Sequence, residues 1–279
     1  MKIAIIGAGT MGSGIAQVVI SANHDAILIS EHQASVDRGM ELVRTGFDKA
    51  IAKGRMAQEQ KASFLSRITT STSISDAKGA AVVIEAVPEE LKTKLAVLSQ
   101  VEKWVASDTI IATNTSSISI DALAQALKEP GRFIGLHFFN PAPVMKVIEV
   151  VEGGKTSKAT LAAANAFAKS LGKTPVQVKD FPGFISNRIL MIYINESINA
   201  LQEGVATKEA IDAIAKLGFN HPMGPIELAD FIGLDVCKDI MEAIYEQNKD
   251  PKFKPSDLLV KMVQQGRLGR KSKKGFYDY

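Results

Sequence analysis

Short, mostly apolar runs alternate with segments of helical periodicity over roughly the first 180 residues of the chain. The runs are rich in β-branched residues, and they are Lys2–Ile6, Ala26–Ile29, Ala81–Ala86, Thr109–Thr113, Arg132–Leu136 and Val147–Val151. Runs of this kind are typical of strands that are buried on both faces of a parallel sheet. With the helical segments between them, they predict an α/β fold with a doubly wound, mostly parallel sheet.

The pattern changes near residues 181–183, after which apolar residues recur at helical spacing almost to the C-terminus. We therefore predict a larger α/β domain over residues 1–183 and a smaller, all-helical domain over residues 184–279. A spacing of four residues, which predicts a continuous apolar stripe, joins Leu228, Ile232, Val236 and Ile240. The excess of apolar helix surface predicts a helical domain that covers a substrate cleft and forms the interface of a homodimer or higher homo-oligomer.

A glycine-rich turn follows the first apolar run directly and leads into a helical segment. Its sequence is Gly7-Ala8-Gly9-Thr10-Met11-Gly12. Gly7 permits a tight turn, Gly9 allows the backbone to approach a pyrophosphate, and Gly12 allows close packing of helix and strand. Thr10 and Met11 lie where the N-terminus of the helix faces the anion. The order of strand, glycine turn and helix predicts a Rossmann-type dinucleotide-binding domain.

The second apolar run ends in Ser30-Glu31-His32, where an acidic residue that binds the adenosine ribose is expected. Only Glu31 supplies a carboxylate there, and it favours a 2′-hydroxyl over a 2′-phosphate. Ser30 can donate a hydrogen bond to either group. The sequence therefore favours NAD and does not exclude NADP.

His137 lies at the end of one predicted strand, and Glu149 lies in the next strand along the chain. Ligands bind at the carboxyl ends of the strands in open α/β sheets, so an imidazole there is well placed for chemistry. A carboxylate that orients the imidazole is the usual arrangement for a general base. A hydrogen-bonded structural pair remains the alternative from these two residues alone.

Composition narrows the class of protein. The chain has 279 residues, 46% of them hydrophobic, a formal net charge of +3 and a single cysteine, Cys237. The charge is too small to indicate nucleic-acid binding, no apolar run is long enough for a membrane helix, and no cluster of Cys and His indicates a metal site. These features predict a cytoplasmic protein. The basic segment near the C-terminus is interpreted as a solvated tail, with docking of its final aromatic residues as the alternative.

The chain resembles the L-3-hydroxyacyl-CoA dehydrogenase family over its whole length. Besides the glycine turn, the motifs that carry the resemblance are Asn114-Thr115-Ser116-Ser117, His137-Phe138-Phe139-Asn140-Pro141, Pro182-Gly183-Phe184, Asn187-Arg188, His221-Pro222-Met223-Gly224-Pro225 and Gly275-Phe276-Tyr277. The resemblance implies an oxidoreductase that interconverts 3-hydroxyacyl-CoA, with short chains such as 3-hydroxybutyryl-CoA favoured, and 3-oxoacyl-CoA. The implied cofactor is a nicotinamide dinucleotide, and the implied partner is a small acyl-CoA molecule.

The resemblance also implies roles for individual residues. His137 would take the proton of the 3-hydroxyl group, and Glu149 would orient the imidazole. Ser116 and Asn187 would contact the substrate hydroxyl and thioester region. The remaining implied contacts are Asn140 with the His and Glu pair, Lys53 with the charged end of coenzyme A, and Glu89, Lys94 and Asn114 with the cofactor.

One position departs from the family pattern, which usually has aspartate where Ser30 stands. The departure leaves the basis of NAD preference open. Two other functions also remain: a dehydrogenase of free hydroxy acids, and a catalytically idle relative. The His137 motif favours the acyl-CoA branch, because free-acid relatives commonly use a lysine for the chemistry.

Overall fold

The computed structural model describes residues 1–279 and contains one eight-stranded sheet. Its strands are β1 (Lys2–Ile6), β2 (Asp25–Ile29), β3 (Ile68–Ser71), β4 (Val82–Glu85), β5 (Ile110–Thr113), β6 (Phe133–Phe138), β7 (Val147–Glu152) and β8 (Thr174–Lys179). The order in the sheet is β3-β2-β1-β4-β5-β6-β7-β8. All neighbours are parallel except β6 and β7, so the predicted mostly parallel sheet is confirmed.

Helices connect the strands and form the rest of the chain. Those within the α/β part are α1 (Thr10–Ser21), α2 (Gln33–Ala52), α3 (Gln58–Leu65), α4 (Leu91–Val101), α5 (Ile120–Ala124) and α6 (Lys158–Ser170). Those of the C-terminal part are α7 (Ser186–Gln202), α8 (Lys208–Ala213), α9 (Pro225–Ile232), α10 (Leu234–Asn248) and α11 (Asp257–Gln264), with a π-helical turn at Ile214–Gly218. No helix is long and apolar enough to cross a membrane.

The winding of the sheet reverses beside β1. Strands β2 and β3 lie on one side of β1, and β4, β5 and β6 lie on the other. Ile3, Ala4 and Ile5 of β1 are fully buried, as expected for a central strand. In open α/β sheets, ligands bind at the carboxyl ends of the strands where the strand order reverses. The glycine turn after β1 lies at this point.

The chain forms two compact units, residues 1–180 and residues 181–279. The core of the second unit includes Met191 and Ile198 of α7 and Cys237 and Met241 of α10, all essentially buried. Burial raises the pKa of the Cys237 thiol to about 12, which suits packing and not nucleophilic chemistry. Thr207 caps α8 through a hydrogen bond from the Ala210 backbone N–H, as its position before the helix predicts.

The predicted continuous apolar stripe is wrong. Gly233, with φ of 110°, separates α9 from α10, so residues on either side do not share one helix face. The buried side of α10 carries Leu234, Cys237, Met241 and Ile244, whereas Val236 is 39% exposed. The four-residue spacing from Leu228 to Ile240 therefore spans a glycine at which one helix ends and the next begins.

The interpretation of the C-terminus as a solvated tail is wrong for its aromatic part. The basic residues Lys271, Lys273 and Lys274 are exposed, but Phe276 is only 6% exposed and belongs to the core of the second unit. Its backbone N–H donates to Asp230 Oδ1 at 2.9 Å, and its carbonyl oxygen accepts from Lys208 Nζ at 2.7 Å. The chain therefore ends in a docked segment.

Candidate active site

The glycine turn has the close packing that its sequence predicts. A Cβ atom on Gly7 would lie 2.4 Å from the Ala86 carbonyl oxygen, and one on Gly12 would lie 1.8 Å from the Gly7 carbonyl oxygen. In contrast, a Cβ on Gly9 would meet no atom within 4 Å. Helix α1 begins at the next residue without a side-chain cap or an acidic residue in its first turn. The turn thus presents backbone and a helix N-terminus to an anion, as a bound pyrophosphate requires.

Ser30 and Glu31 follow the last residue of β2. Ser30 is partly buried, and its backbone N–H donates to the Ser71 carbonyl oxygen at 3.2 Å. Glu31 is exposed. Both residues lie after the strand that neighbours β1, which is where a ribose contact is expected.

His137 and Glu149 are direct cross-strand neighbours in the antiparallel pair β6 and β7. Side chains of such neighbours point to the same face, so this register brings the imidazole and the carboxylate together. His137 Nδ1 lies 2.7 Å from Glu149 Oε2, and the two residues are 8% and 2% exposed. The His137 ring also contacts the ring of Phe139, with 4.7 Å between centroids. The sheet therefore fixes both members of the pair.

Asn114 connects the end of β5 to the end of β6. Its backbone N–H donates to the Glu85 carbonyl oxygen at 2.8 Å, and its side-chain Oδ1 accepts from the Phe138 backbone N–H at 2.9 Å. The side chain thereby continues the pairing of the two strands next to His137. The resemblance implies a cofactor contact for Asn114, and the structure adds this anchoring contact.

Three titratable side chains lie together at the end of β4 and just after it. Lys94 is 1% exposed, and its Nζ lies 2.8 Å from Oε1 of the fully buried Glu85 and 3.1 Å from Oε2 of Glu89. Glu89 contacts the loop that carries Ser116, whose backbone N–H lies 2.9 Å from Glu89 Oε1. The sequence reasoning missed Glu85, although a glutamate that ends a buried run of Val and Ile is itself a signal of a paired charge.

These contacts link the strand ends into one continuous edge. The glycine turn packs on Ala86, Glu89 contacts the loop after β5, and Asn114 contacts the strand that holds His137. The edge therefore combines a turn suited to a dinucleotide phosphate with a buried imidazole that contacts a buried carboxylate. This is the combination that hydride transfer coupled to proton transfer needs.

The other predicted residues are Asn140, Lys53 and Asn187. Asn140 is exposed in the turn after β6. Lys53 is exposed at the C-terminus of α2, and Asn187 is partly exposed in the first turn of α7, in the second unit. Their implied contacts with substrate stay predictions. No group of three or more His, Cys, Asp or Glu side chains is arranged to hold a metal ion.

A further residue near the pair escaped the sequence reasoning. Lys173 Nζ donates to the carbonyl oxygens of Ala142 and Met145, at 2.8 and 2.6 Å, in the turn between β6 and β7. Burial lowers the pKa of Lys173. A lysine after a helix gives no local signal of this long-range contact.

Two family models together match nearly the whole chain. Residues 2–181 match the 3-hydroxyacyl-CoA dehydrogenase NAD binding domain, and residues 183–279 match the 3-hydroxyacyl-CoA dehydrogenase C-terminal domain. The 3-hydroxybutyryl-CoA dehydrogenase of Clostridioides difficile is 46% identical over 279 residues, which cover 100% of this chain and 99% of the relative. The probable 3-hydroxybutyryl-CoA dehydrogenase of Deinococcus radiodurans is 47% identical and covered over its full length.

A solved structure of a dehydrogenase has the same fold as this chain. The crystal structure of (S)-3-hydroxybutyryl-CoA dehydrogenase from Ralstonia eutropha matches with a TM-score of 0.95 and 46% sequence identity. The match covers 100% of this chain and 98% of that one.

Proposed function

The chain belongs to the 3-hydroxyacyl-CoA dehydrogenase family, and from this premise we propose that it interconverts 3-hydroxybutyryl-CoA and acetoacetyl-CoA with NAD. The observation that carries the proposal is the buried His137 and Glu149 pair, with 2.7 Å between Nδ1 and Oε2, at the carboxyl edge of a sheet that bears a dinucleotide-type glycine turn. The family membership supports the reaction class, and the names of the relatives support a short acyl chain.

His137 and Glu149 would together carry out the proton transfer of the proposed reaction. Because Nδ1 of His137 is bonded to Glu149, the proton of the substrate 3-hydroxyl is exchanged at Nε2. In oxidation, Nε2 accepts this proton as the C3 hydrogen leaves with its electron pair, and Glu149 stabilises the imidazolium that forms. In reduction, the imidazolium returns the proton to the carbonyl oxygen.

The residues at the sheet edge fit the nicotinamide cofactor. The glycine turn and the first turn of α1 would hold the pyrophosphate, and Ser30 and Glu31 would hold the adenosine ribose. The cofactor supplies the hydride acceptor in oxidation and the hydride donor in reduction. Ser116 is proposed to donate a hydrogen bond to the oxygen that carries developing negative charge. The family resemblance implies a substrate contact for Asn187 as well.

Initial rates with purified protein test the proposal. We expect acetoacetyl-CoA to be reduced with NADH, with a higher kcat/KM than longer 3-oxoacyl-CoA thioesters give. Free acetoacetate is the control, because it has the same reacting ketone without coenzyme A. Reduction of free acetoacetate at a kcat/KM equal to that of the thioester would contradict the acyl-CoA assignment, and no turnover of any thioester would indicate an idle relative.

We also propose that the chain forms a homodimer or a higher homo-oligomer through its helical unit. The support is a set of apolar side chains that the unit leaves exposed: Ile214, Leu217, Phe219, Phe231 and Val236. Leu217 is 86% exposed, so a substitution there should test the interface most directly. Cytoplasmic location stays a prediction from the sequence.

Light scattering on charged variants tests this interface. Leu217→Glu and Val236→Glu should lower the assembly mass, because a glutamate buried at an apolar interface lacks a partner. The matched control is Leu42→Glu on α2, an apolar side chain that is 44% exposed in the other unit and should leave the mass unchanged. A wild-type protein that scatters as a monomer would contradict the proposal.

A further inference from the structure

The carboxylate of Glu89 lies at the centre of a hydrogen-bonded loop. Its Oε1 accepts from the backbone N–H groups of Ser116 and Ser117, at 2.9 and 3.1 Å. The same oxygen accepts from the hydroxyls of Thr115 and Ser117, at 2.5 and 3.0 Å, and lies 3.5 Å from Ser116 Oγ. The loop therefore folds around one oxygen atom of one side chain.

The second oxygen of Glu89 is held by a buried ammonium group. Lys94 Nζ lies 3.1 Å from Glu89 Oε2, 2.8 Å from Glu85 Oε1 and 3.2 Å from the Val87 carbonyl oxygen. An ammonium group has three hydrogens, and three acceptors of this chain surround it. The lysine is 1% exposed. Its contacts thus lie within the protein, and its charge fixes Glu89.

Glu85 in turn is held from three sides. Besides Lys94, its carboxylate accepts from the Val87 backbone N–H at 2.7 Å and from the Thr113 hydroxyl at 2.6 Å. Both Glu85 and Thr113 are fully buried at the ends of their strands. The network therefore begins at buried residues of the sheet and extends to Glu89, whose side chain is 37% exposed.

Ionised Glu89 is the form that the network stabilises. Burial alone favours the neutral acid, but the Lys94 charge and the hydrogen bonds from Thr115 and Ser116 outweigh it and lower the pKa of Glu89. A charged acceptor makes shorter and stronger hydrogen bonds than a neutral one. Replacing the carboxylate with an amide weakens every contact that shapes the loop.

We propose that Glu89 is a positioning residue for the reaction: fixed by Lys94, it shapes the Thr115–Ser117 backbone and thereby sets the place of the Ser116 hydroxyl. The proposal rests on the proposed function, because the role of Ser116 does. It also differs from a direct contact of Glu89 and Lys94 with the cofactor, which the family resemblance implies. A positioning role changes the chemical step, whereas a cofactor contact changes the affinity for NADH.

Steady-state kinetics and NADH binding separate the two roles. Glu89→Gln should lower kcat with acetoacetyl-CoA by roughly 10- to 100-fold, since displacing a hydrogen-bond donor to a developing charge has effects of this order. The dissociation constant for NADH, measured from nucleotide fluorescence, should stay within about two-fold. A loss of NADH affinity with unchanged kcat would overturn the proposal in favour of the direct contact.

A double-mutant comparison identifies the residue through which Glu89 acts. If the carboxylate acts through Ser116, Glu89→Gln combined with Ser116→Ala should be little worse than Ser116→Ala alone. Losses that multiply would show that Glu89 acts elsewhere. Glu90→Gln is the matched control, because Glu90 is the adjacent exposed glutamate and its side chain accepts from the Thr93 hydroxyl at 2.5 Å, outside the Thr115–Ser117 loop.

Amide hydrogen exchange tests the positioning without any assay of activity. The backbone N–H groups of Ser116 and Ser117 should exchange faster in Glu89→Gln, and faster still in Glu89→Ala, while Glu90→Gln should leave them unchanged. Unchanged exchange in both Glu89 variants would overturn the positioning role. If exchange is faster in the Glu89 variants but the wild-type protein turns over no acyl-CoA, the contacts between Glu89 and the loop are supported and only the proposed function is rejected.

Discussion

In the sheet-containing unit, the buried carboxylates of Glu85 and Glu149 each contact a basic side chain, whereas in the helical unit Asp212 and Asp230 accept hydrogen bonds from backbone N–H groups and tyrosine hydroxyls. Asp212 is 2% exposed and accepts from the N–H groups of Ile226 and Glu227, at 2.8 and 3.1 Å. Glu149 faces an imidazole at 2.7 Å. Burial alone therefore does not distinguish a carboxylate that contacts an imidazole from one that fixes segments of backbone.

The difference lies in what the partner can do. A backbone N–H cannot change its charge, so the contacts of Asp212 and Asp230 fix segments of chain to each other. An imidazole gains and loses a proton near neutral pH, so a carboxylate beside it changes the energy of that step. The partners of the buried acids, more than their depth, indicate where the chemistry takes place.

The largest effect should follow from changing the imidazole pair. If both residues belong to one proton-transfer unit, as we propose, His137→Gln and Glu149→Gln should each lower kcat by ~10² to 10⁴ with a modest change in KM. The double variant should be little slower than either single one. Full activity of His137→Gln in the acetoacetyl-CoA assay would show that the His137 and Glu149 pair does not carry out the proton transfer.

Changing Asp230 should instead affect stability. It accepts from the backbone N–H groups of Phe276 and Tyr277, at 2.9 and 2.8 Å, and is 1% exposed. Asp230→Ala leaves these two donors without their acceptor, so the free energy of unfolding should fall by roughly 3 kcal/mol. Urea unfolding measures this loss.

The control for Asp230 is Asp239→Ala. The Asp239 side chain is 71% exposed and pairs with Lys238 on the surface of the same unit. Its removal should change the free energy of unfolding by less than about 0.5 kcal/mol. Equal effects of the two substitutions would show that the backbone contacts of Asp230 contribute little.

Much of the sheet-containing unit was predictable from local signals. The buried strands are uniform in hydrophobicity, and the glycine turn has a fixed order of strand, turn and helix. That His137 and Glu149 lie in consecutive strands was also predictable, whereas the register that makes them direct neighbours was not. Residues close in sequence determine these features, so they can be predicted from the sequence.

Other features could not be predicted because they depend on contacts between distant segments or on backbone conformation. The docking of the C-terminus rests on Asp230, which lies 46 residues before Phe276 in the chain. A Cβ on Gly275 would lie 2.0 Å from Asp230 Oδ1, so the glycine in the Gly-Phe-Tyr ending is explained only by this contact. The break at Gly233 was overlooked because helical spacing continues across it, while φ of 110° is invisible in a hydrophobicity pattern.

Glu31 extends the comparison to an exposed carboxylate, which we propose to act by repulsion. Glu31→Ala should reduce the preference for NADH over NADPH by roughly 10-fold, because the 2′-phosphate no longer meets a negative charge. Ser30→Ala should change the preference less, since a hydroxyl carries no charge. The ratio of kcat/KM for the two cofactors measures both effects. A wild-type ratio that favours NADPH would contradict the role of Glu31.

The smallest effect concerns the pH dependence of stability at Glu89, which combines a basic partner with backbone contacts. Its pKa is lower in the folded protein than the usual 4.5, so the unfolded chain binds more protons in this range and stability falls as the pH drops. The contribution is complete above the unfolded pKa and is lost as the pH falls through the folded one. Because the side chain is 37% exposed, we expect this contribution to the free energy of unfolding to be only about 0–1 kcal/mol.

Urea unfolding at pH 7 and near pH 4 tests this pH dependence. The difference in the free energy of unfolding between wild type and Glu89→Gln should be smaller at the lower pH. The difference between wild type and Ser116→Ala, which removes no titratable group, should stay constant. A Glu89→Gln difference that is the same at both pH values would mean that the loop contacts depend on the shape of the side chain and not on its charge.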